Sequence, residues 1–312
     1  MENDKNKRLV GQRNDFIQKT VYKELNINDL KVFKSIISKI NYNDTLFNDF
    51  YTIDYGDLDL AGIDSPSRFK IVDAALVKLS GTFVSIKDKD DNTVKLGLIS
   101  NKFIYKKNSS KIIVEIHDDL QPYLLDLKQK YTRYSLENIK SFDNIHTLQI
   151  YELLRSFVAT GDLYYTLKQL REYLNIKPEQ YKLYGNFKNR ILTPAIDTIN
   201  LNTDIIVEVK ELKLGRSIEK FHFIIESKEN LEPEDFNLIK LIDKVFRDKQ
   251  NNKFLIMSFE NDKENNNYRF KVFNIKNQEI TFTHWDDQKT LFAKIKDMVK
   301  KSEYKNKVNS LE

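Results

Sequence analysis

The 312-residue chain contains no cysteine. That removes disulfides and every thiolate metal site, and it suits a reducing compartment. No apolar run approaches the roughly 20 residues needed to span a bilayer. The opening MENDKNKRLVGQRNDF has no apolar core of the signal-peptide kind, so a cytoplasmic location is expected. The phosphate-cradling pattern G-x-x-x-x-G-K-S/T is missing, so no ATPase of that type is indicated. The four histidines, His117, His146, His222 and His284, stand apart, with no pair at metal spacing for a rolling-circle nickase. Nor is there a local nucleophile elbow. These absences predict a protein that is not an enzyme and needs no metal or cofactor.

What is present is enough to build cores: 40% apolar residues and 12% aromatics, over a length that fits two or three domains. The formal net charge of +5 and the pI near 8.9 are a mild basic excess, and placement matters more than the total. NDFYTIDYGDLDLAGID, from Asn48 to Asp64, is wholly acidic. KKNSSK, KLGR and YKLYGNFKNR are basic and fall at turns and helix starts.

The pattern of elements repeats. NINDLKVFKSIISKI reads as a helix with Leu30, Phe33, Ile37 and Ile40 on one face. SPSRFKIVDAALVKL reads as a second, capped by Ser65 with Pro66 in its first turn and a buried stripe of Phe69, Val72, Leu76 and Leu79. TFVSI, TVKLGLIS, KFIYKK and KIIVEIH read as strands, and DDLQPYLLDLKQK as a short closing helix. Near Lys130 the order starts again. IHTLQIYELLRSFVAT is a helix stopped by Gly161, and TLKQLREYLNI is a shorter one. YGNFKNRILTPAIDTIN is the third, and TDIIVEVKEL and SIEKFHFIIE flank a four-residue loop, Lys213 to Arg216. Ala75-Leu76-x-x-Leu79 echoes Ala195-Ile196-x-x-Ile199, each before a β run. Beyond Glu229, NKFLIMSF, YRFKVFNI and EITFTH read as three strands and DDQKTLFAKIKDMVKK as a closing helix.

The expected architecture is α+β: two tandem winged-helix domains, residues 1–130 and 131–228, and a small C-terminal α/β module, residues 229–312. On a helical wheel Phe187, Ile191, Ala195 and Ile199 stack, with Leu192 and Ile196 beside them. Asn186, Asn189, Arg190, Thr193 and Asp197 lie opposite. Lys188 falls near the apolar side and must reach outward. Arginine can pair bidentately with guanine and asparagine with adenine in a DNA major groove, and basic wing tips such as Lys213 and Arg216 suit phosphates. The alternative is an ordinary amphipathic helix with a solvated face. In the first domain Arg68 and Lys70 start the corresponding helix, and a solvated surface explains them nearly as well. Asp204, Glu208 and Lys210 form a faint nuclease-like pattern of strand-borne carboxylates and a lysine. A solvent-facing strand edge explains it too.

The blocks KYTRYSLENIKSF, LQIYELLRSF, LKQLREYLNI and FKNRILTPAIDTINLNTDIIVEVKELKLGRSIEKFHFII, in that order and spacing, resemble the iteron-binding replication initiators of theta-type plasmids. The resemblance covers roughly residues 10 to 226. It implies tandem winged helices that bind direct repeats at a plasmid origin as monomers, help open the duplex, and recruit a host initiator ATPase and a replicative helicase. It implies a homodimer in equilibrium with monomer, dimerising through the first domain and repressing its own gene through an inverted repeat. By position it places Lys188 and Arg190 on the recognition helix of the second domain and Arg68 and Lys70 near the corresponding helix of the first; with Asn186, Asn189, Lys213 and Arg216 from the wheel and the wing, these are the candidate DNA-contacting residues. A winged-helix transcriptional regulator is the alternative, and a metal-dependent nuclease a third reading.

Overall fold

The computed structural model describes residues 8–87, 90, 92–215, 217–228, 245–247, 252–262, 267–277 and 279–285. The chain forms two compact units, Met1–Ser227 and Lys228–Glu312.

The first unit opens with strand β1 (Leu9–Arg13) and helix α1 (Asn14–Lys19). Helix α2 (Ile27–Ile37) follows, started by a reciprocal cap between Asn26 and Asp29. Next come strand β2 (Tyr51–Ile53), helix α3 (Tyr55–Leu60) and helix α4 (Arg68–Gly81). The hairpin β3 (Phe83–Lys87) and β4 (Thr93–Gly97) is inserted before strands β5 (Ile99–Tyr105) and β6 (Ile112–Ile116). A short helix α5 (Gln121–Leu124) leads to β7 (Tyr131–Ser135), which pairs antiparallel with β1. The cycle then restarts with α6 (Ile145–Arg155), β8 (Asp162–Thr166) and α7 (Leu167–Tyr173). The third helix of this cycle is composite. It runs from α8 (Tyr184–Phe187) through a π-turn (Lys188–Leu192) into α9 (Thr193–Asn202). Strands β9 (Ile205–Leu214) and β10 (Ser217–Ser227) close the unit.

The two cycles have one topology. Helix, strand, helix, helix and two strands give a three-stranded antiparallel sheet in the order β2-β6-β5 in the first and β8-β10-β9 in the second. In both, the residue just before the second helix caps it reciprocally: Asp54 with Asp57, and Thr166 with Gln169. Ala75, Leu76 and Leu79 are buried in one, and Ala195, Ile196 and Ile199 in the other. These are tandem winged helices, and the sequence echo is the packing face of their third helices.

Several elements differ from the sequence expectation. Helix α4 starts at Arg68 because Ser65 spends its hydroxyl on the Ser67 amide (3.0 Å), closing a turn before the helix. Phe69 is 53% exposed, and Ala75 takes its place in the stripe. DDLQPYLLDLKQK is helical over only a few residues. Asp126 and Lys130 adopt left-handed backbone, and the Asp126 and Leu127 amides bond to the Asp44 and Tyr42 carbonyls instead. The acidic stretch from Asn48 to Asp64 hides β2 and α3, because its carboxylates cap the helix and accept ion pairs. Asp57 is buried and takes Arg8 at 2.8 Å and Lys39 at 2.6 Å. The Lys213–Arg216 loop is shorter than expected: Leu214 already pairs with Ser217, and Gly215 after it has φ +63°, which favours glycine.

In the second unit β11 (Val245–Arg247), β12 (Lys253–Asp262), β13 (Asn267–Asn274) and β14 (Glu279–Trp285) form an antiparallel meander in chain order. Ile256 and Val272 are buried partners across it. The helix expected over DDQKTLFAKIKDMVKK lies outside the described residues.

The two winged helices are joined by buried polar chemistry. Lys34 of α2 and Glu152 of α6 are 2.8 Å apart, with side chains 0% and 2% exposed. Gln12 of β1 bridges them, accepting from Lys34 at 2.8 Å and donating to Glu152 at 2.7 Å. The Tyr134 hydroxyl donates to the same carboxylate at 2.6 Å. Removing one partner of a buried pair strands the other charge, typically at a cost of about 3–5 kcal/mol, whereas replacing both by apolar side chains costs far less. Glu152→Ala is therefore expected to destabilise the fold by about that amount, and Lys34→Met with Glu152→Leu by less than Glu152→Ala alone. Urea unfolding of the three chains measures this; a Glu152→Ala chain as stable as wild type would contradict it.

Candidate nucleic-acid interface

The composite helix α8–π–α9 is held from one side only. Phe187, Ile191, Leu192, Ala195, Ile196 and Ile199 are buried, while Asn186, Asn189, Arg190, Thr193 and Asp197 are exposed, as the wheel predicts. The π-turn has a local cause. Pro194 has no amide to donate to the Arg190 carbonyl, and its ring crowds that carbonyl in a regular α-turn. The chain takes the wider turn just before it: the Thr193 amide bonds back to Lys188, five residues away. Pro194 then sits in the first turn of α9. Among the described residues, the side chains of Asn186, Asn189 and Arg190 have no hydrogen-bond or ion-pair partner. A row of free amides and a guanidinium on an exposed helix face is a donor-rich surface.

Lys188 reaches sideways. Its ammonium lies 2.9 Å from Glu211 on β9, so it ties the start of the helix to the hairpin that follows. Burial alone would raise the Glu211 carboxyl. The Tyr184 hydroxyl, the Lys188 ammonium and nearby Lys213 outweigh it and hold the carboxyl below its ordinary value. Lys213 is exposed near the tip of the β9–β10 wing. Arg216 lies outside the described residues.

The turn before the helix is organised by Arg171 of α7, which sequence reasoning missed. Its guanidinium donates to the carbonyls of Lys177 (3.2 Å), Gln180 (2.5 Å) and Tyr181 (3.1 Å) and lies 5.8 Å from the Phe187 ring. One planar fork thus fixes the turn against both helices of the motif. Three backbone acceptors leave no mark in a sequence. Leu167, Arg171, Pro178, Lys182, Tyr184, Ser217 and Ile218 line an open cleft between that turn and the base of the wing.

In the first winged helix the candidates separate. Arg68 is engaged within the domain. It pairs with Asp59, donates to the Ile63 carbonyl at 2.8 Å and lies 4.8 Å from the Tyr55 ring, so it clasps α3 to α4. Lys70 is exposed on α4 beside Phe69, Ala74 and Val77. The wing turn carries exposed Lys106, Lys107 and Lys111 around Asn108, whose φ is +55°. The carboxylates of the nuclease-like pattern do not converge. Asp204 accepts from Tyr151 at 2.7 Å and from Arg155 at 2.9 Å, while exposed Glu208 lies 3.8 Å from Lys210. Among the described residues no three carboxylates or histidines cluster as a metal site, and no helix is long and apolar enough to cross a membrane.

Two family models match the chain. The model described as initiator replication protein, WH1, matches residues 9–155, and that described as initiator Rep protein, WH2, matches residues 166–225. The chain belongs to the initiator replication protein family. The first match runs through β7 and α6, and the second covers α7 to β10. A replication initiation protein of Escherichia coli is 25% identical over 126 residues, 39% of this chain and 39% of that protein. An uncharacterised 27.6 kDa protein of Escherichia coli is 29% identical over 117 residues, 38% of this chain and 47% of that one. The chain thus spans less than half the length of the curated relatives it matches. The crystal structure of Pi initiator protein in complex with iteron DNA superposes with a TM-score of 0.61 at 18% identity, covering 72% of this chain and 99% of that one. At that identity the likeness is one of fold.

The Lys188–Glu211 pair sets a test of the initiator's surface electrostatics. Glu211→Gln removes a negative charge beside the helix and releases Lys188 toward solvent. Duplex affinity is expected to rise about threefold at low salt, and the gain to shrink as salt is added. Titration of random-sequence duplex at two salt concentrations reads it; an unchanged or lower affinity would place this face away from DNA.

Proposed function

We propose that this chain is a sequence-specific DNA-binding initiator that recognises repeated duplex sites at a plasmid origin and helps open it. The observation that carries the reading is the partner-free row Asn186, Asn189 and Arg190, framed by the Arg171-held turn and the Lys213 wing. Membership of the initiator replication protein family supports it. Arg190 faces away from the buried Phe187, Ile191 and Ala195, free to reach base edges. Lys188, on the flank, suits a phosphate, which would compete with Glu211 for it. Lys70 and the Lys106–Lys111 turn supply weaker contacts from the first winged helix, and Arg68 acts there mainly by positioning α4. Arg216 completes the basic wing tip in this reading. The protein acts without a cofactor and in the cytoplasm.

The two cations are expected to fail differently. On a duplex selected by the full chain from a random pool, Arg190→Ala should cost about 1–3 kcal/mol and leave random DNA almost unaffected. Lys188→Ala should weaken both and lower the log–log salt slope by about one unit. Both side chains lie outside the core, so melting curves should hardly move. Replication of a plasmid bearing the selected repeats should depend on the chain. Specific binding without that dependence would favour a winged-helix regulator.

The same reading includes a dimer in free solution that represses its own gene and gives monomers on direct repeats, with a host initiator ATPase and helicase as later partners. The exposed apolar side chains Phe69, Val77 and Phe83 of the first winged helix support a self-association surface there. Light scattering should show a dimer that becomes a monomer on repeat duplex; one unchanging species, free and bound, would refute the exchange.

A further inference from the structure

At the start of the second reading helix one apolar side chain faces outward. Leu183 is the residue before α8, with extended backbone (φ −79°, ψ 135°), and is 71% exposed. A single exposed leucine is ordinary on a protein surface. This one is not loosely placed. Its carbonyl accepts the amides of Asn186 (3.1 Å) and Phe187 (3.3 Å), so it is fixed as the residue from which the helix starts. The turn behind it is pinned by the three bonds from Arg171 to Lys177, Gln180 and Tyr181. Leu183, Asn186 and Arg190 recur three and four residues apart, all exposed. The leucine therefore continues the row of free donors toward the end of the helix that enters a groove first.

The major-groove edge of a base pair offers hydrogen-bonding atoms and one apolar feature, the 5-methyl group of thymine. Asparagine and arginine suit the former. Only Leu183 in this row suits the latter. We propose that Leu183 is a base-reading residue whose methyl groups pack on the 5-methyl of a thymine adjoining the bases read by Asn186 and Arg190. Arg171 is the positioning residue that holds it there. This rests on the DNA-binding reading above and adds to it one determinant of sequence, apolar rather than hydrogen-bonded.

The test uses the full chain and a duplex that it selects from a random pool. Each thymine of that duplex is replaced in turn by deoxyuridine, which deletes the methyl group and leaves all hydrogen-bonding atoms. Wild type is expected to lose about fourfold in affinity at one or two adjacent positions, the value of one buried methyl. Leu183→Ala should bind the unmodified duplex more weakly by at least that factor, bind random duplex as wild type does, and be indifferent to deoxyuridine at those positions. Leu183→Met should keep most of the sensitivity. Melting curves should be unchanged, since the side chain is exposed. If Leu183→Ala keeps the wild-type deoxyuridine pattern, or wild type has no sensitive thymine, the proposal is overturned while DNA binding stands. A chain that prefers no sequence at all overturns both.

Discussion

The fold depends on a charge pair that water does not reach. Lys34 and Glu152 come from the first helices of two successive winged helices, and the Gln12 side chain spans them. Burial pushes the Lys34 ammonium down from its ordinary value, and Glu152 opposes that shift. Burial, and then Glu152, pushes the Tyr22, Tyr134 and Tyr173 hydroxyls up, so all remain protonated. Tyr134 donates to the carboxylate, and Tyr173 donates to the carbonyls of Ile17 (3.1 Å) and Gln149 (3.2 Å). Such a cluster gives little net stability against an apolar core, but it tolerates few arrangements. Two domains joined in this way keep one mutual orientation. On the proposed reading, in which two stretches of one duplex are contacted, that constancy keeps the second in register.

On this frame the two domains spend the same topology differently. Each has its strand-then-cap entry into the second helix and the same buried alanine and aliphatic positions in the third. The outward faces diverge. Helix α4 offers Phe69, Ala74 and Val77 around a single free lysine, Lys70, and its arginine, Arg68, is turned inward to Asp59 and Tyr55. Helix α9 and its approach offer two asparagines, an arginine and a leucine. The scaffold sets where a third helix sits, and the exposed residues set what it can touch. On the proposed reading, this difference makes the second domain the reader of bases and the first a source of backbone contacts.

The buried faces of the helices were legible because burial follows the 3.6-residue period, and every apolar position assigned to YGNFKNRILTPAIDTIN is buried. The strands of both wings were legible from alternation and turn chemistry. The acidic stretch was not, because Asp54 and Asp57 look like solvent-facing charge yet cap α3 and anchor Arg8 and Lys39. Lys34 and Glu152 read as polar positions on amphipathic helices, and nothing local announces that they meet 118 residues apart in a dry interior. Arg68 shows the opposite failure. Its place at a helix start suggested a DNA contact, and only the positions of Asp59, Tyr55 and the Ile63 carbonyl reveal that its guanidinium is engaged within the domain. Arg171 was invisible for a related reason, since backbone carbonyls carry no sequence signature.

Pro194 stood in the sequence as an awkward residue in the middle of an otherwise regular helix. In the structure it is the reason that the helix has two parts. The widened turn before it inserts an extra residue between α8 and α9 without breaking the apolar stripe, so Phe187 and Ile191 both stay buried. Lys188, at the start of that turn, swings to the flank, where Glu211 receives it. Asn189 and Arg190 remain on the outer face with their donors free. A regular α-helix through these residues would meet a missing hydrogen bond and a crowded carbonyl at Arg190 itself, the residue best suited to reading a base. The wide turn, which contains Arg190, relieves that crowding and keeps its side chain on the exposed face with its donors free, as bidentate recognition requires.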